Sequence, residues 1–180
     1  MKIYTRAGDD GTTGLLFGGR VRKDSPVTTA CGDVDEAQAV LGVARSAADA
    51  TPELDALVVG IQRHLWVLMA ELSTASESRG KLRAGQTLVT ADMVAGLEVL
   101  IDDLAARADP PTEFVVPGQA PSAAFLDLAR TVVRRAERHA VAVAAEGSQV
   151  VPYLNRLSDL LWTMARWCEG ESLTARSPKP

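Results

Sequence analysis

The chain has 180 residues, a formal net charge of −4, a sequence pI near 5.2, two cysteines and 47% hydrophobic residues. That length suits one domain with a core that needs no disulfides, and the mild acidity gives no overall pull toward nucleic acid or anionic membrane, so any phosphate site must be local. Two cysteines are too few for a disulfide framework, and no apolar run marks a signal peptide or a membrane span, so a reducing cytoplasmic setting and small-molecule partners are expected.

Residues 2–32 differ from everything after them. Lys2-Ile3-Tyr4-Thr5-Arg6-Ala7-Gly8-Asp9-Asp10-Gly11-Thr12-Thr13-Gly14 is too rich in glycine for a stable helix and loses much backbone entropy on ordering. Two readings stand. Consecutive amides freed by glycine, the hydroxyls of Thr5, Thr12 and Thr13, and the charges of Arg6 and Lys23 would make a polyphosphate cradle; the alternative is a flexible terminus. No Gly-Lys-Ser/Thr follows, so this is not a Walker A loop.

From Asp33 the spacing predicts a first helix with Val34, Ala37, Leu41 and Ala44 inward, and Asp33, Asp35 and Glu36 in its first turn, where the helix dipole favours carboxylates. A second helix starts at Thr51-Pro52 and turns Leu54, Leu57, Val58, Ile61, Leu65, Leu68, Met69 and Leu72 inward; His64 is expected on its surface. Residues 76–90 form a polar loop that ends at Thr90, the N-cap of a third helix running to about Ala108 and stopped by Asp109-Pro110-Pro111.

Thr112–Ser122 is a connector pinned by prolines, which brings Phe114 to the entrance of an arginine-rich helix; from the residues alone a short buried strand-like turn with Phe114 as its plug is expected ahead of a functional role. On that helix Leu126, Ala129, Val133, Ala136 and Ala140 make an apolar stripe, and Arg130, Arg134 and Glu137 line its edge. A guanidinium at a core edge needs a carboxylate or phosphate partner, and Asp35 is placed to meet Arg130. The helix is expected to end near Gly147. A last helix from about Pro152 repeats the layout, with Leu154, Leu157, Leu161, Met164 and Cys168 inward beside Asn155, Asp159, Trp162 and Arg166; the tail after Glu169 is expected to fray.

The fold class that follows is all-α, an up-down five-helix bundle in one domain: an N-terminal loop 1–32, a bundle 33–169 and a flexible tail 170–180. No Ser/His/Asp or Cys/His arrangement and no metal-ligand spacing is present, and with two histidines acid–base work by His is not expected.

Five separated motifs, in order, cover nearly the whole chain: the opening Lys2–Gly14, Gly32-Asp33-Val34-Asp35-Glu36, Phe114-Val115-Val116-Pro117-Gly118, Leu128–Arg138 and Tyr153–Leu161. Together they resemble the PduO-type ATP:cob(I)alamin adenosyltransferases. The resemblance implies a homotrimeric five-helix bundle with sites between subunits, which transfers the 5′-deoxyadenosyl group of ATP to cob(I)alamin and releases triphosphate. It implies ATP, with Mg²⁺, under Thr5, Arg6, Gly8, Asp9, Gly11, Thr12 and Thr13, with Lys23 near the phosphates and Arg134, Glu137 and Asn155 as helix contacts. It pairs Asp35 with Arg130 across subunits beside the corrinoid, makes Phe114 the wedge that displaces the corrinoid's lower ligand, and puts Trp162 near that face. In that frame Phe114, Asp35, Arg130 and Arg134 are the residues closest to catalysis. A reductase and an adenosylcobalamin-dependent mutase are implied partners. This chain departs from the pattern at Gln119, where a second glycine is usual. Two other classes remain to be separated from the transferase: a nucleotide- or corrinoid-binding sensor or chaperone without turnover, and a structural bundle with an idle N-terminus.

Overall fold

The computed structural model describes residues 3–108 and 111–176, so Lys2 of the opening motif, the Asp109-Pro110 stop and the last four residues of the tail lie outside the described residues. Five long helices carry the fold: α1 Pro26–Arg45, α2 Pro52–Leu72, α3 Ala91–Arg107, α4 Pro121–Ala140 and α5 Val150–Glu169. A short 3₁₀ helix, Ser76–Lys81, interrupts the polar stretch between α2 and α3. α4 lies between α1 and α5, α5 also packs on α3, and α1 on α2. The five helices are the expected bundle.

Local chemistry sets the helix starts. Ser25, Thr51 and Thr90 cap α1, α2 and α3 by accepting from Thr28 N, Leu54 N and Met93 N, and proline occupies the first turn of α1 and α2. α4 has no side-chain cap of its own; Asp49, just beyond α1, accepts from both Ser122 N and Ser122 Oγ and satisfies those donors from outside the helix. Burial opposes ionisation of Asp49, but its Ser122 bonds outweigh it and hold the carboxyl below its ordinary value.

Two boundaries differ from expectation. α1 begins at Pro26 rather than Asp33, because Ser25-Pro26 supplies a cap and a preset φ and the first turn needs no apolar residue. Asp33, Asp35 and Glu36 therefore sit in the interior of α1, where the dipole of its first turn does not explain them. α4 ends at Ala140 rather than near Gly147: Val141 N bonds back to Glu137 O, Val143 and Ala144 N close onto Ala140 O, and Gly147, at φ 75, turns the chain toward α5.

The core is the meeting of the stripes. Val34, Ala37, Leu41, Leu126, Ala129, Val133, Ala136, Leu154, Leu157, Leu161 and Met164 are fully buried. Burying a side chain such as Leu contributes about 1.5–3 kcal/mol, so this seam holds α1, α4 and α5 together. Polar groups lock it at one end: Asp33 accepts from Arg135 Nε at 2.9 Å and meets His139 Nδ1, while Arg135 also reaches Glu36. Glu71, near the end of α2, accepts from Arg79, from Val89 N and from Ser148 Oγ, tying the α2–α3 and α4–α5 connections to one carboxylate.

The tail is more ordered than expected as far as Arg176. Val116 N donates to Leu173 O and Ala175 N to Phe114 O, so the segment after α5 pairs with the connector before α4.

Candidate functional site

The N-terminal loop folds as a small hairpin, β1 Thr12–Gly14 against β2 Arg20–Arg22. Asp10 Oδ1 accepts from both Thr12 N and Thr12 Oγ1, and that hydroxyl bond, seconded by the amide, holds the Asp10 carboxyl below its ordinary value. Arg20, which the motif reading passed over, fastens the hairpin to the preceding turn through Nε to Thr12 Oγ1 at 2.9 Å and Nη2 to Ala7 O at 2.6 Å. Its spacing from Thr12 across a two-stranded ladder could have flagged it. Thr5 Oγ1 accepts from Ala7 N, Asp9 N donates to Arg6 O, and Thr13 faces Val21 across the ladder. Lys23 lies over Gly8: a Cβ there would stand 3.0 Å from Lys23 Nζ and 3.1 Å from Thr12 O, so a larger residue would require these neighbours to give by a few tenths of an ångström. Gly11, at φ 79, makes the turn, and Arg6 holds φ 60, an unusual conformation for a non-glycine residue.

The hairpin docks on the end of α2, with Leu16 N donating to Ser73 O at 2.8 Å and Lys81 Nζ over the Phe17 ring. The Asp33–His139 and Glu71–Ser148 contacts put the end of α4 and the start of α5 at this same end of the bundle. There Arg134 is exposed, Glu137 and Asn155 are joined by Nδ2 to Oε1 at 3.0 Å, and no described bond links these three to the loop. The structure thus gathers the expected nucleotide residues in two sets, one on the loop and one on the α4–α5 seam.

Further along the same seam is a cavity of about 610 Å³ lined by Phe114, Val115, Asp127, Arg130, Trp162 and Arg166, with Glu113, Pro117 and Arg176 also on its wall. Phe114 is 89% exposed rather than a buried plug, a large apolar ring that the described residues leave uncovered. Three residues expected beside one ligand, Phe114, Arg130 and Trp162, therefore meet. Asp35 does not join them: it is exposed on α1 with no described bond in the chain, and Arg130 Nε bonds instead to Asp127 Oδ1 at 3.2 Å. A bridge between Asp35 and Arg130 within one chain is corrected to Arg130–Asp127, because the α1 acid facing α4 is Asp33, held by Arg135 and His139.

Asp127 and Arg166 also line the cavity and are joined to each other, which the apolar stripes alone do not indicate. Arg166, only 2% exposed, donates Nη2 to Asp127 Oδ2 at 2.6 Å, reaches Glu169 at 2.6 Å, and lies 5.7 Å from the Trp162 ring centroid. A lone acid beside Leu126 in an apolar stripe, three residues before an arginine, was the available signal for Asp127.

His64 is half-buried rather than a free surface group. Its Nδ1 is 3.0 Å from the hydroxyl of buried Tyr153, edge-on to that ring, and burial lowers its pKa. No group of three or more His, Cys, Asp or Glu side chains suited to a metal ion occurs among the described residues, and no helix of those residues is long and apolar enough to cross a membrane.

Comparison with known proteins places this geometry. The family described as cobalamin adenosyltransferase matches residues 3–168. The corrinoid adenosyltransferase PduO of Citrobacter freundii is 40% identical over 169 residues, covering 92% of this chain, which spans only 49% of that relative's length. A corrinoid adenosyltransferase of Mycobacterium tuberculosis is 41% identical over 173 residues, covering 92% of this chain and 87% of the relative. A variant PduO-type ATP:corrinoid adenosyltransferase from Lactobacillus reuteri, solved with cobalamin and ATP, superposes with a TM-score of 0.86 at 28% identity, covering 99% of this chain and 98% of that one. The family match, the two relatives and the bundle agree: the chain belongs to the cobalamin adenosyltransferase family.

Proposed function

We propose that this chain transfers the 5′-deoxyadenosyl group of ATP to the cobalt of cob(I)alamin, yielding adenosylcobalamin and triphosphate. The observation that carries this reading is the order of groups along the α4–α5 seam. Arg130 and Trp162 line the cavity, and Arg134, Glu137 and Asn155 follow on the same two helices. Arg134 is one turn from Arg130, a rise of about 6 Å, so a nucleotide on the second set lies directly beside a corrinoid in the first. Holding two reactants side by side is most of what this reaction asks of a protein, because Co(I) is already a strong nucleophile.

In the proposed step the cobalt lone pair forms the Co–C5′ bond while the C5′–O bond breaks and triphosphate departs with that electron pair. Arg134 faces the developing charge with a guanidinium free of any described carboxylate partner, and Lys23 and the amides of the Gly8–Gly14 turn add positive potential from the loop. The described residues offer no multi-carboxylate cage for magnesium, which fits this reading only as the counter-ion of ATP and takes no step of its own. Phe114, exposed on a connector braced by Leu173 and Ala175, is the wedge that keeps the lower face of the corrinoid free of an axial ligand; loss of such a ligand eases reduction to Co(I). The separation of the loop from Arg134, Glu137 and Asn155 supports a site completed by a neighbouring subunit in a homotrimer, with Asp35 of one subunit meeting Arg130 of the next. A reductase that supplies Co(I) and an adenosylcobalamin-dependent mutase that takes the product complete the proposal, in the cytoplasm.

The test is an anaerobic visible spectrum with MgATP and chemically reduced cob(I)alamin. Decay of the Co(I) bands into a light-sensitive alkylcobalamin, only with both protein and ATP present, supports the transferase. Persistent Co(I) bands with ATP bound would replace it by a sensor or chaperone.

A further inference from the structure

The cavity wall contains a buried ion cluster with more order than lining a pocket requires. Asp127 is 5% exposed and divides its two oxygens: Oδ1 accepts from Arg130 Nε at 3.2 Å, and Oδ2 from Arg166 Nη2 at 2.6 Å. Arg166 is itself held on its other side by Glu169, whose side chain is fully buried, and its guanidinium rests against the Trp162 ring. Two arginines and two acids thus balance in charge, and a single carboxylate links the α4 wall of the cavity to the α5 wall. The bond through Nε is informative. It fixes the plane of the Arg130 guanidinium yet leaves both terminal nitrogens without a described partner in this chain, so the fork that suits bidentate contact is presented beside the cavity, where Asp35 of a neighbouring subunit is proposed to meet it.

We infer that Asp127 is a positioning residue for the corrinoid, which holds the Arg130 fork directly and the Trp162 ring through Arg166. The inference rests on the adenosyl-transfer reading for the identity of the ligand, and on the hydrogen-bond geometry for the role. Asp127 touches neither reacting atom; it sets where its two neighbours point. An apolar residue could fill the same volume between Leu126 and the α5 helix, but it would leave Arg166 with a buried unmatched charge and let the Arg130 side chain swing toward solvent. Groups that orient the residues contacting a ligand carry about 10- to 100-fold in affinity or activity when lost, as the outer partners of metal ligands do.

The experiment measures cob(I)alamin and ATP saturation separately for Asp127→Asn and for Asp127→Asn/Arg166→Met/Glu169→Gln, the latter neutralising Arg166 together with both of its buried acids so that no buried charge is stranded. The expected result is a KM for cob(I)alamin raised about tenfold or more, an ATP KM within about twofold of wild type, and a shifted tryptophan emission in both variants, with Asp127→Glu recovering part of the corrinoid affinity. If Asp127→Asn does not fold, the triple variant gives the same reading. Equal losses for both substrates, or an unchanged corrinoid KM in a folded variant, would overturn the positioning role. Wild-type protein that forms no adenosylcobalamin would instead overturn the transferase reading, so the two failures are distinct.

Discussion

Replacement of Glu71 by alanine tests the polar lock at the loop end of the bundle. The side chain is 1% exposed, and its oxygens accept three bonds: Arg79 Nη2 at 2.9 Å, Ser148 Oγ at 2.6 Å and Val89 N at 2.8 Å. Alanine strands the buried Val89 amide at about 1–3 kcal/mol and removes two further bonds worth about 0.5–1.5 kcal/mol each, the Arg79 contribution being discounted because its side chain regains solvent. The sum is roughly 2–5 kcal/mol, which overlaps the range for breaking a buried ion pair. At about 2–4 °C per kcal/mol for a chain of this size, Tm should fall by roughly 10 °C. Thermal unfolding followed by far-UV circular dichroism measures it, with Glu71→Gln as a control that keeps acceptors for Val89 and Ser148 and loses less. Limited proteolysis adds a local readout, because the loop is anchored at Ser73, two residues beyond Glu71. A fall below about 2 °C would refute the reasoning that one carboxylate holds these two connections.

Other outcomes follow from the same geometry. Phe114→Ala should keep ATP affinity but lose most activity when Co(II) must be reduced in the assay, while chemically reduced Co(I) restores much of it; unchanged turnover from Co(II) would remove Phe114 from the mechanism. Arg134→Ala deletes a charge-assisted phosphate contact, so kcat/KM for ATP should fall by a factor of roughly 10 to 150, equivalent to about 1.5–3 kcal/mol, and unaltered constants would refute that contact. His64 has a lowered pKa in the fold, so it binds fewer protons folded than unfolded. Stability is then fully present at high pH and declines as pH falls through the unfolded value of about 6.5 toward the folded one. His64→Gln should flatten that slope in pH-dependent unfolding, and an unchanged slope would assign it to other groups.

Much of the bundle was legible because its signals are short-range. The caps at Thr51 and Thr90 and the stripes of α1, α4 and α5 depend on residues a few positions apart, and they appear where spacing puts them. The start of α1 was obscured by glycine density: Cys31 and Gly32 belong to the helix, and the Ser25-Pro26 signal was the better guide. The hydrogen-bonded lock of Asp33 with Arg135 and His139 joins residues about a hundred positions apart, so no local rule distinguishes Asp33 from exposed Asp35. Phe114, Arg130 and Trp162, which the resemblance groups with Asp35, line one cavity without Asp35, and no local signal marks that cavity's inner frame. Asp127 reads as one more helix acid until the fold buries it against Arg166. The tail was read from composition as frayed, and its pairing with the Phe114 connector is backbone to backbone, which side-chain identity does not announce.

The central claim is that C5′ of ATP becomes bonded to cobalt at the α4–α5 seam. The most direct measurement supplies ATP deuterated at C5′ together with cob(I)alamin under anaerobic conditions and identifies the products by mass spectrometry. The account predicts that the deuterium appears in a light-sensitive corrinoid, with one intact triphosphate released for each corrinoid formed. Recovery of the label only in ATP, or in ADP accompanied by free phosphate, would contradict it.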